Sequence, residues 1–335
     1  MEVVMKAVVL EELIGFSGLR VVEVERPVPG PGELLVEVKA AGLNYAELEQ
    51  THGRYPLGKR LPHVMGFEAA GIVVETGAQV ENFKRGDRVA ALTSSGGFAE
   101  YATVDASVAL PIPDGLSYQD ATTIVVQGLS AYALLNLAAK PRPDETLLVQ
   151  AAAGGVGLYL VQLAKLMGVK RVIALASSEE KLTVVRALGA DVAINYAERD
   201  WPLKLEEATF GNGVDVVLEM SSGEVQAECL KRLAPFGRVV FFGAKNMHDT
   251  LSAEQMKQLI FRNQSLVCFN IPTLRPDQLR ACAGALLALV SDGKLKFFAQ
   301  RAFPLSEPIR AFEALASRNT IGKVVLVPDA RPEPA

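Results

Sequence analysis

Cysteine, histidine and tryptophan are scarce here: three, three and one among 335 residues. Cys229, Cys268 and Cys282 are odd in number and widely spaced, which argues against a disulfide framework and points to a reducing cytoplasm. With His52, His63 and His248 they offer no two ligands at metal-binding spacing, so a closed nitrogen–sulfur zinc site is not expected. A basic cluster is also missing and the formal net charge is −4, which leaves no electrostatic footprint for nucleic acid or an acidic membrane surface. No uninterrupted apolar run reaches about 18 residues, so membrane insertion is not expected. The start, MEVVMKAVVLEEL, has acids inside its apolar run and reads as a strand opening a domain rather than a signal peptide.

What is present is a globular composition, 50% hydrophobic and 21% charged, of a length for about two domains. Residues 1–123 read as short strands between turns: 6–10, 19–24, 33–40, 71–76, 87–92 and 99–103. From 124 to 271 the texture alternates between apolar strands (146–150, 171–176, 192–195, 214–219, 238–243, 265–271) and helical stretches. Six β-segments with helical crossovers predict a doubly wound parallel sheet. The tail, 272–335, holds a helix over 276–291 and a last strand, 323–327, expected to rejoin the first domain.

Thr146 to Gly157, TLLVQAAAGGVG, runs from a buried strand through a glycine turn into a helix. Ala151, Gly154, Gly155, Val156 and Gly157 form the turn. Its glycines remove the side chains that would keep a diphosphate from the free N–H groups and positive end of the new helix. A-x-x-G-x-x-G is weak alone, and a ligand-free glycine turn is the bland alternative; the surrounding βαβ unit favours a dinucleotide.

An acidic residue at the end of the second strand would accept the ribose 2′-hydroxyl of NAD. That strand instead ends in Ser177 and Ser178, with Lys181 one turn later. Two hydroxyls and a cation suit the 2′-phosphate of NADPH. Glu179 and Glu180 complicate this, although acids are common at helix N-termini. Tyr196, after the third strand, is a candidate to close over the phosphate or is simply half-buried.

With AAAGGVG, GLNYAEL, GFEAAGIV and NTIGKVVLVP in view, the chain resembles the medium-chain dehydrogenase/reductase superfamily over essentially its whole length. Within it, the resemblance is to the zinc-free quinone oxidoreductase (zeta-crystallin-like) branch, and segment 94–98 leans towards the synaptic-vesicle relatives. The fold this implies is α/β: a GroES-like β-rich catalytic domain, residues 1–123 completed by 272–335, and a Rossmann cofactor domain, 124–271. Zinc-dependent members carry G-H-E at Gly66-Phe67-Glu68 and a ligand cysteine at Asn44, and phenylalanine cannot bind zinc. Glu68, left without a metal, is expected in a polar network near the domain junction.

The resemblance implies an NADPH-dependent reductase of quinones or α,β-unsaturated carbonyls. Asn44 matches the family's active-site asparagine, with a helix cap as its alternative. Tyr55 matches a tyrosine lining the substrate cleft, with turn packing as its alternative. Glu49 replaces a second aromatic and puts quinone preference in doubt, and Gln127 is expected on the opposite wall. Phe242, Gly243, Phe269 and Asn270 are expected at the nicotinamide. Asn246 and Lys323 are candidates for the phosphates, although Lys323 could equally be a solvated edge charge. Residues 265–271 resemble the strand that pairs two copies, implying a homodimer. Two competing readings remain: a non-catalytic nucleotide-binding structural protein, which Glu49 keeps open, and a zinc alcohol dehydrogenase, which the ligand count disfavours.

Overall fold

The computed structural model describes residues 4–55, 60–93, 96–244, 251–299 and 301–329. Asn246, and Ser94 and Ser95 of segment 94–98, lie outside the described residues. The chain divides into two compact units, residues 1–126 with 279–335, and residues 127–278.

The strands of the first unit are β1 (Val4–Leu10), β2 (Leu19–Glu25), β3 (Glu33–Leu43), β4 (His63–Val64), β5 (Glu68–Thr76), β6 (Arg88–Leu92), β7 (Tyr101–Asp105) and β8 (Leu110–Pro111). Helix α1 (Tyr45–Thr51) follows β3, and α2 (Tyr118–Thr123) follows β8. A three-stranded sheet runs β2-β1-β4, while β3, β5, β6 and β8 are consecutive neighbours in a larger sheet, with β7 also on β3. Apolar side chains on the facing surfaces, Val8, Leu10, Leu43, Met65 and Phe98 among them, fill one core. Gly66, at φ 104°, leads into Phe67-Glu68; a Cβ there would come within 2.6 Å of the Phe98 backbone nitrogen, so only glycine fits.

The second unit holds α3 (Leu129–Ala133), β9 (Thr146–Val149), α4 (Gly155–Leu166), β10 (Arg171–Ala176), α5 (Glu179–Ala187), β11 (Val192–Asn195), α6 (Trp201–Ala208), β12 (Val214–Glu219), α7 (Gly223–Lys231), β13 (Leu233–Phe241), α8 (Ala253–Phe261) and β14 (Ser265–Cys268). Its six strands are parallel in the order β11-β10-β9-β12-β13-β14. That is the doubly wound order, with the topological switch between β9 and β12. Strands such as β10, buried at five of six positions, need the unbroken apolar runs seen in the sequence because helices cover both faces.

The chain then passes through α9 (Pro276–Ser291) to β15 (Arg301–Pro304), α10 (Pro308–Ala316) and β16 (Val324–Val327). β16 pairs antiparallel with the end of β3, Val324 opposite Leu43, so the tail completes the first unit's large sheet. Both unit boundaries fall inside helical runs, at 126/127 and within α9, rather than at 123/124 and 271/272. No turn signal marks either position.

Residues 118–139 form one helical run with π turns at Ile124–Gly128 and Leu134–Ala139. By length and composition this run could cross a membrane, but 67% of its most apolar window is buried inside the protein, as befits a core helix. Counting uninterrupted apolar residues missed it because Gln127, Ser130 and Asn136 punctuate the run. Arg238 holds its carboxyl end, with Nε donating to the Ala139 carbonyl at 2.5 Å and the guanidinium forking onto Glu145 at 2.8 and 2.9 Å. Burial works against the Glu145 charge, yet the Arg238 hydrogen bonds, a backbone N–H and the Arg142 charge hold its carboxyl below the usual range. Arg238→Met should therefore cost about 2–4 kcal/mol in denaturant unfolding at neutral pH. A depressed carboxyl stabilises above its unfolded value and loses that contribution as pH falls through its folded one, so the gap between variant and wild type should shrink in acid.

Candidate functional site

The first unit buries a charged cluster where β3, α1, β5 and β16 meet. Asn44, between β3 and α1, is the N-cap of α1 and forms a capping box with Glu47, whose Oε2 accepts the Asn44 N–H at 3.0 Å. Glu47 Oε1 also accepts the Phe67 N–H at 3.0 Å. Asn44 Nδ2 donates to Glu68 Oε1 at 2.8 Å, while Asn44 Oδ1 accepts from Lys323 Nζ at 2.6 Å. Lys323 is ion-paired with Glu68, both side chains being fully buried, and the second Glu68 oxygen takes the Val126 N–H at 2.8 Å. Gly42 makes room, since a Cβ there would lie 2.4 Å from Lys323 Cε and 2.5 Å from Glu68 Oε1.

Two expectations change here. Lys323 is not a solvated edge charge, and its ammonium is committed to Glu68 and Asn44 rather than turned towards a phosphate. The cap and amide-donor readings of Asn44 are compatible, because one Nδ2 hydrogen goes to Glu68 and the amide has a second. Glu47 went unremarked in the sequence, although N-x-x-E at a helix start is a capping-box signal. Burial pushes its carboxyl up to about 7, with the Glu68 charge adding and the Lys323 charge and backbone N–H groups opposing.

Glu49 is buried, but its carboxylate is held by Arg54, Nε to Oε2 at 2.6 Å. The wall at this position is thus a neutralised pair rather than a bare acid. Tyr55 follows, half-buried, with its ring edge-on to Phe67 at 6.1 Å between centroids. Burial, and then the Glu47 charge, raises its phenol above the ordinary value, which keeps the hydroxyl protonated.

In the second unit the glycine turn has the geometry of an anion seat. Ala151 adopts φ 45°, and the chain turns through Ala153 to Gly154, the extended N-cap of α4, which contributes no capping side chain. A Cβ on Gly157 would come within 2.5 Å of the Ala151 carbonyl oxygen and 2.7 Å of the Ala152 backbone, so helix and strand approach as closely as such a fingerprint requires. Gln127 lies over Gly155: a Cβ there would be 2.0 Å from the Gln127 amide. Gln127 therefore belongs beside the turn in this unit.

At the end of β10, Lys181 Nζ donates to Ser177 Oγ at 3.0 Å, while Ser178 caps α5. Burial holds the Lys181 ammonium below its ordinary value, against the nearby Glu180 charge. Glu179 is turned to Arg186 in an exposed ion pair. Tyr196 is half-buried and donates its N–H to the Ala176 carbonyl at 3.0 Å, beside the same strand end. These residues fit a 2′-phosphate. Phe242 is buried just past β13 and Gly243 follows at φ 84°; Phe269 is half-buried and Asn270 exposed just past β14, all at carboxyl ends of strands. Not anticipated was a buried hydrogen-bonded set at the β9 and β12 ends, in which Gln150 Nε2 donates to Glu219 at 2.5 Å and both accept from Ser221.

The chain matches the family described as alcohol dehydrogenase GroES-like domain over residues 30–114, and that described as zinc-binding dehydrogenase over 155–288. It is 34% identical to a quinone oxidoreductase of Pseudomonas aeruginosa over 306 residues, 90% of this chain and 92% of that protein. It is 30% identical to the mouse synaptic vesicle membrane protein VAT-1 homolog, covering 96% and 84%. The crystal structure of Escherichia coli quinone oxidoreductase complexed with NADPH superposes with a TM-score of 0.88 at 30% identity, covering 96% of this chain and all of that one. The chain belongs to the quinone oxidoreductase branch of the medium-chain dehydrogenase/reductases. Zinc does not fit this branch member's cluster: Phe67 offers no donor atom, Asn44 is engaged on both sides, and the cation on Glu68 is the Lys323 ammonium.

In this oxidoreductase the raised Glu47 carboxyl has a stability signature. The folded state holds its proton between the ordinary value of 4.5 and about 7, so stability should fall as pH rises through that window. Glu47→Gln should remove the slope: in denaturant titrations its stability relative to wild type should rise from pH 5 to pH 7.5, and a constant difference would show that Glu47 is ionised throughout.

Proposed function

We propose that the chain is an NADPH-dependent, zinc-independent oxidoreductase that reduces a quinone or an α,β-unsaturated carbonyl. The observation that carries this reading is the buried Lys323–Glu68–Asn44 cluster, a fixed positive charge with an amide N–H to spare where zinc-dependent relatives need ligands. Bound NADPH supplies the hydride, and with it the electron pair. The acceptor must already be electron-poor, since no Lewis-acidic metal polarises it. Asn44 Nδ2–H is the donor assigned to the oxygen on which charge develops, and Lys323 and Glu68 keep the amide from turning its carbonyl there. Tyr55, held protonated, is the candidate proton source, giving the hydroquinone or saturated carbonyl after one hydride and one proton. Arg54 neutralises Glu49, which removes the main reason for a non-catalytic reading.

On the cofactor side, Gly154, Gly155, Val156 and Gly157 would hold the diphosphate, with Ser177, Ser178, Lys181 and Tyr196 at the 2′-phosphate. Phe242, Gly243, Phe269 and Asn270 are assigned to the nicotinamide end. The relative solved with NADPH supports this choice. A homodimer through 265–271 is also proposed, because β14 is an edge strand with Leu266 43% exposed. Light scattering at micromolar concentration should return twice the chain mass.

NADPH oxidation with 1,4-benzoquinone, 9,10-phenanthrenequinone or an alkenal should proceed and survive chelator. Binding of NADPH without turnover in either acceptor class would contradict the assignment. Lys181→Ala should weaken NADPH by about 10- to 100-fold and leave NADH nearly unchanged, measured by fluorescence titration. Equal losses would mean that the phosphate is bound elsewhere.

A further inference from the structure

Gln127 is 8% exposed, and its Oε1 is buried without a hydrogen-bond partner. Native interiors seldom leave such an acceptor unpaired; a bound molecule or an ordered water completes it. The amide lies flat against Gly155, in the first turn of the twelve-residue helix α4; a Cβ there would sit 2.0 Å from its nitrogen and 2.1 Å from its oxygen. It is borne on a π turn, a local widening of the helix that often marks function. A helix start with glycine clearance and a buried orphan acceptor beside it are independent observations that share one place.

The chemistry of the orphan atom selects its partner. A carbonyl oxygen needs an O–H or N–H, and a diphosphate at neutral pH has neither, so Oε1 does not serve the diphosphate itself. The adenosine ribose is accounted for by Ser177 and Lys181 at the end of β10. With the adenine amino group carried to that same strand end, the donors that remain on a dinucleotide are the ribose hydroxyls and the carboxamide of the half beyond the diphosphate.

We infer that Gln127 is a cofactor-positioning residue, whose buried Oε1 accepts a hydrogen bond from a ribose hydroxyl or the carboxamide on the nicotinamide half of a dinucleotide seated at Gly154–Gly157. This moves Gln127 from the substrate wall to the cofactor, and it rests on the dinucleotide reading above. Its consequence is orientation: a neutral acceptor adds little to diphosphate affinity but fixes how the reactive half lies.

The test is calorimetric titration of Gln127→Leu with NADPH, 2′-phospho-ADP-ribose and 2′,5′-ADP, beside the unliganded melting temperature. NADPH should weaken by about three- to tenfold, while 2′,5′-ADP, which lacks the distal half, changes by less than about twofold. Loss with 2′-phospho-ADP-ribose as well assigns the ribose hydroxyl, and loss with NADPH alone assigns the carboxamide; either supports the inference. The unliganded variant should melt no lower than wild type, because an unpaired acceptor has been removed. If Gln127→Leu does not fold, Gln127→Met carries the same comparison. Undiminished NADPH affinity, or equal losses for all three ligands with a lower melting temperature, would overturn it. A wild-type protein that binds none of them would overturn the cofactor reading as well, whereas wild-type binding with an indifferent variant defeats this inference alone.

Discussion

A lysine ammonium buried between a carboxylate and an amide is the constraint on which the first unit depends. Taking Lys323 and Glu68 out of water is costly, and only mutual attraction with full hydrogen bonding offsets it. The offset needs Gly42 to leave space, Asn44 to bridge, the Val126 N–H to satisfy the second Glu68 oxygen, and β16 to return beside β3. Residues 255 and 279 positions apart are thereby joined by charge. Glu47 is a second acid buried beside this pair; its burial, with the Glu68 charge adding, is why its proton is retained towards neutrality.

On the proposed reading, this arrangement stands where zinc-dependent members of the superfamily hold their metal. A metal ion supplies positive charge and orientation together. Here the charge is on Lys323 and the orientation is that of Asn44, whose carbonyl accepts from the ammonium and whose amide nitrogen donates one hydrogen to Glu68, leaving a second. On the proposed reading the pair is a weaker electrophile than a metal ion, which limits the proposed chemistry to acceptors that hydride can reduce with hydrogen-bond assistance alone. Phe67, in place of a ligand, instead packs edge-on against the Tyr55 ring.

Much of the second unit was legible from period and turn chemistry. β9, the glycine turn and α4 appear as read, because a parallel sheet covered by helices leaves uninterrupted apolar runs and only glycine lets Gln127 and Ala152 approach. The missing acid at the end of the second strand was likewise visible, whereas the Lys181–Ser177 hydrogen bond was not. Less legible were features set by three-dimensional closure. Lys323 looks like an edge charge on its own strand, and nothing local reveals that Gly42 opens a buried berth for it. Glu47 and Glu49 sit in a helix that could as well be exposed; their partners, Phe67 and Arg54, come from elsewhere in the fold or from its turn. The unit boundaries escaped because each falls within a continuous helix. The short helices α6 and α10 carry too few turns for a clear period.

On the proposed reading, Lys323 positions Asn44 and does not bind cofactor. Lys323→Met in a Glu68→Gln background removes both charges together and leaves neither orphaned. NADPH affinity and kcat with 9,10-phenanthrenequinone should then separate: affinity within about twofold of wild type, and kcat lower by about tenfold or more. An unchanged kcat with markedly weakened NADPH binding would contradict the account and return Lys323 to the phosphates.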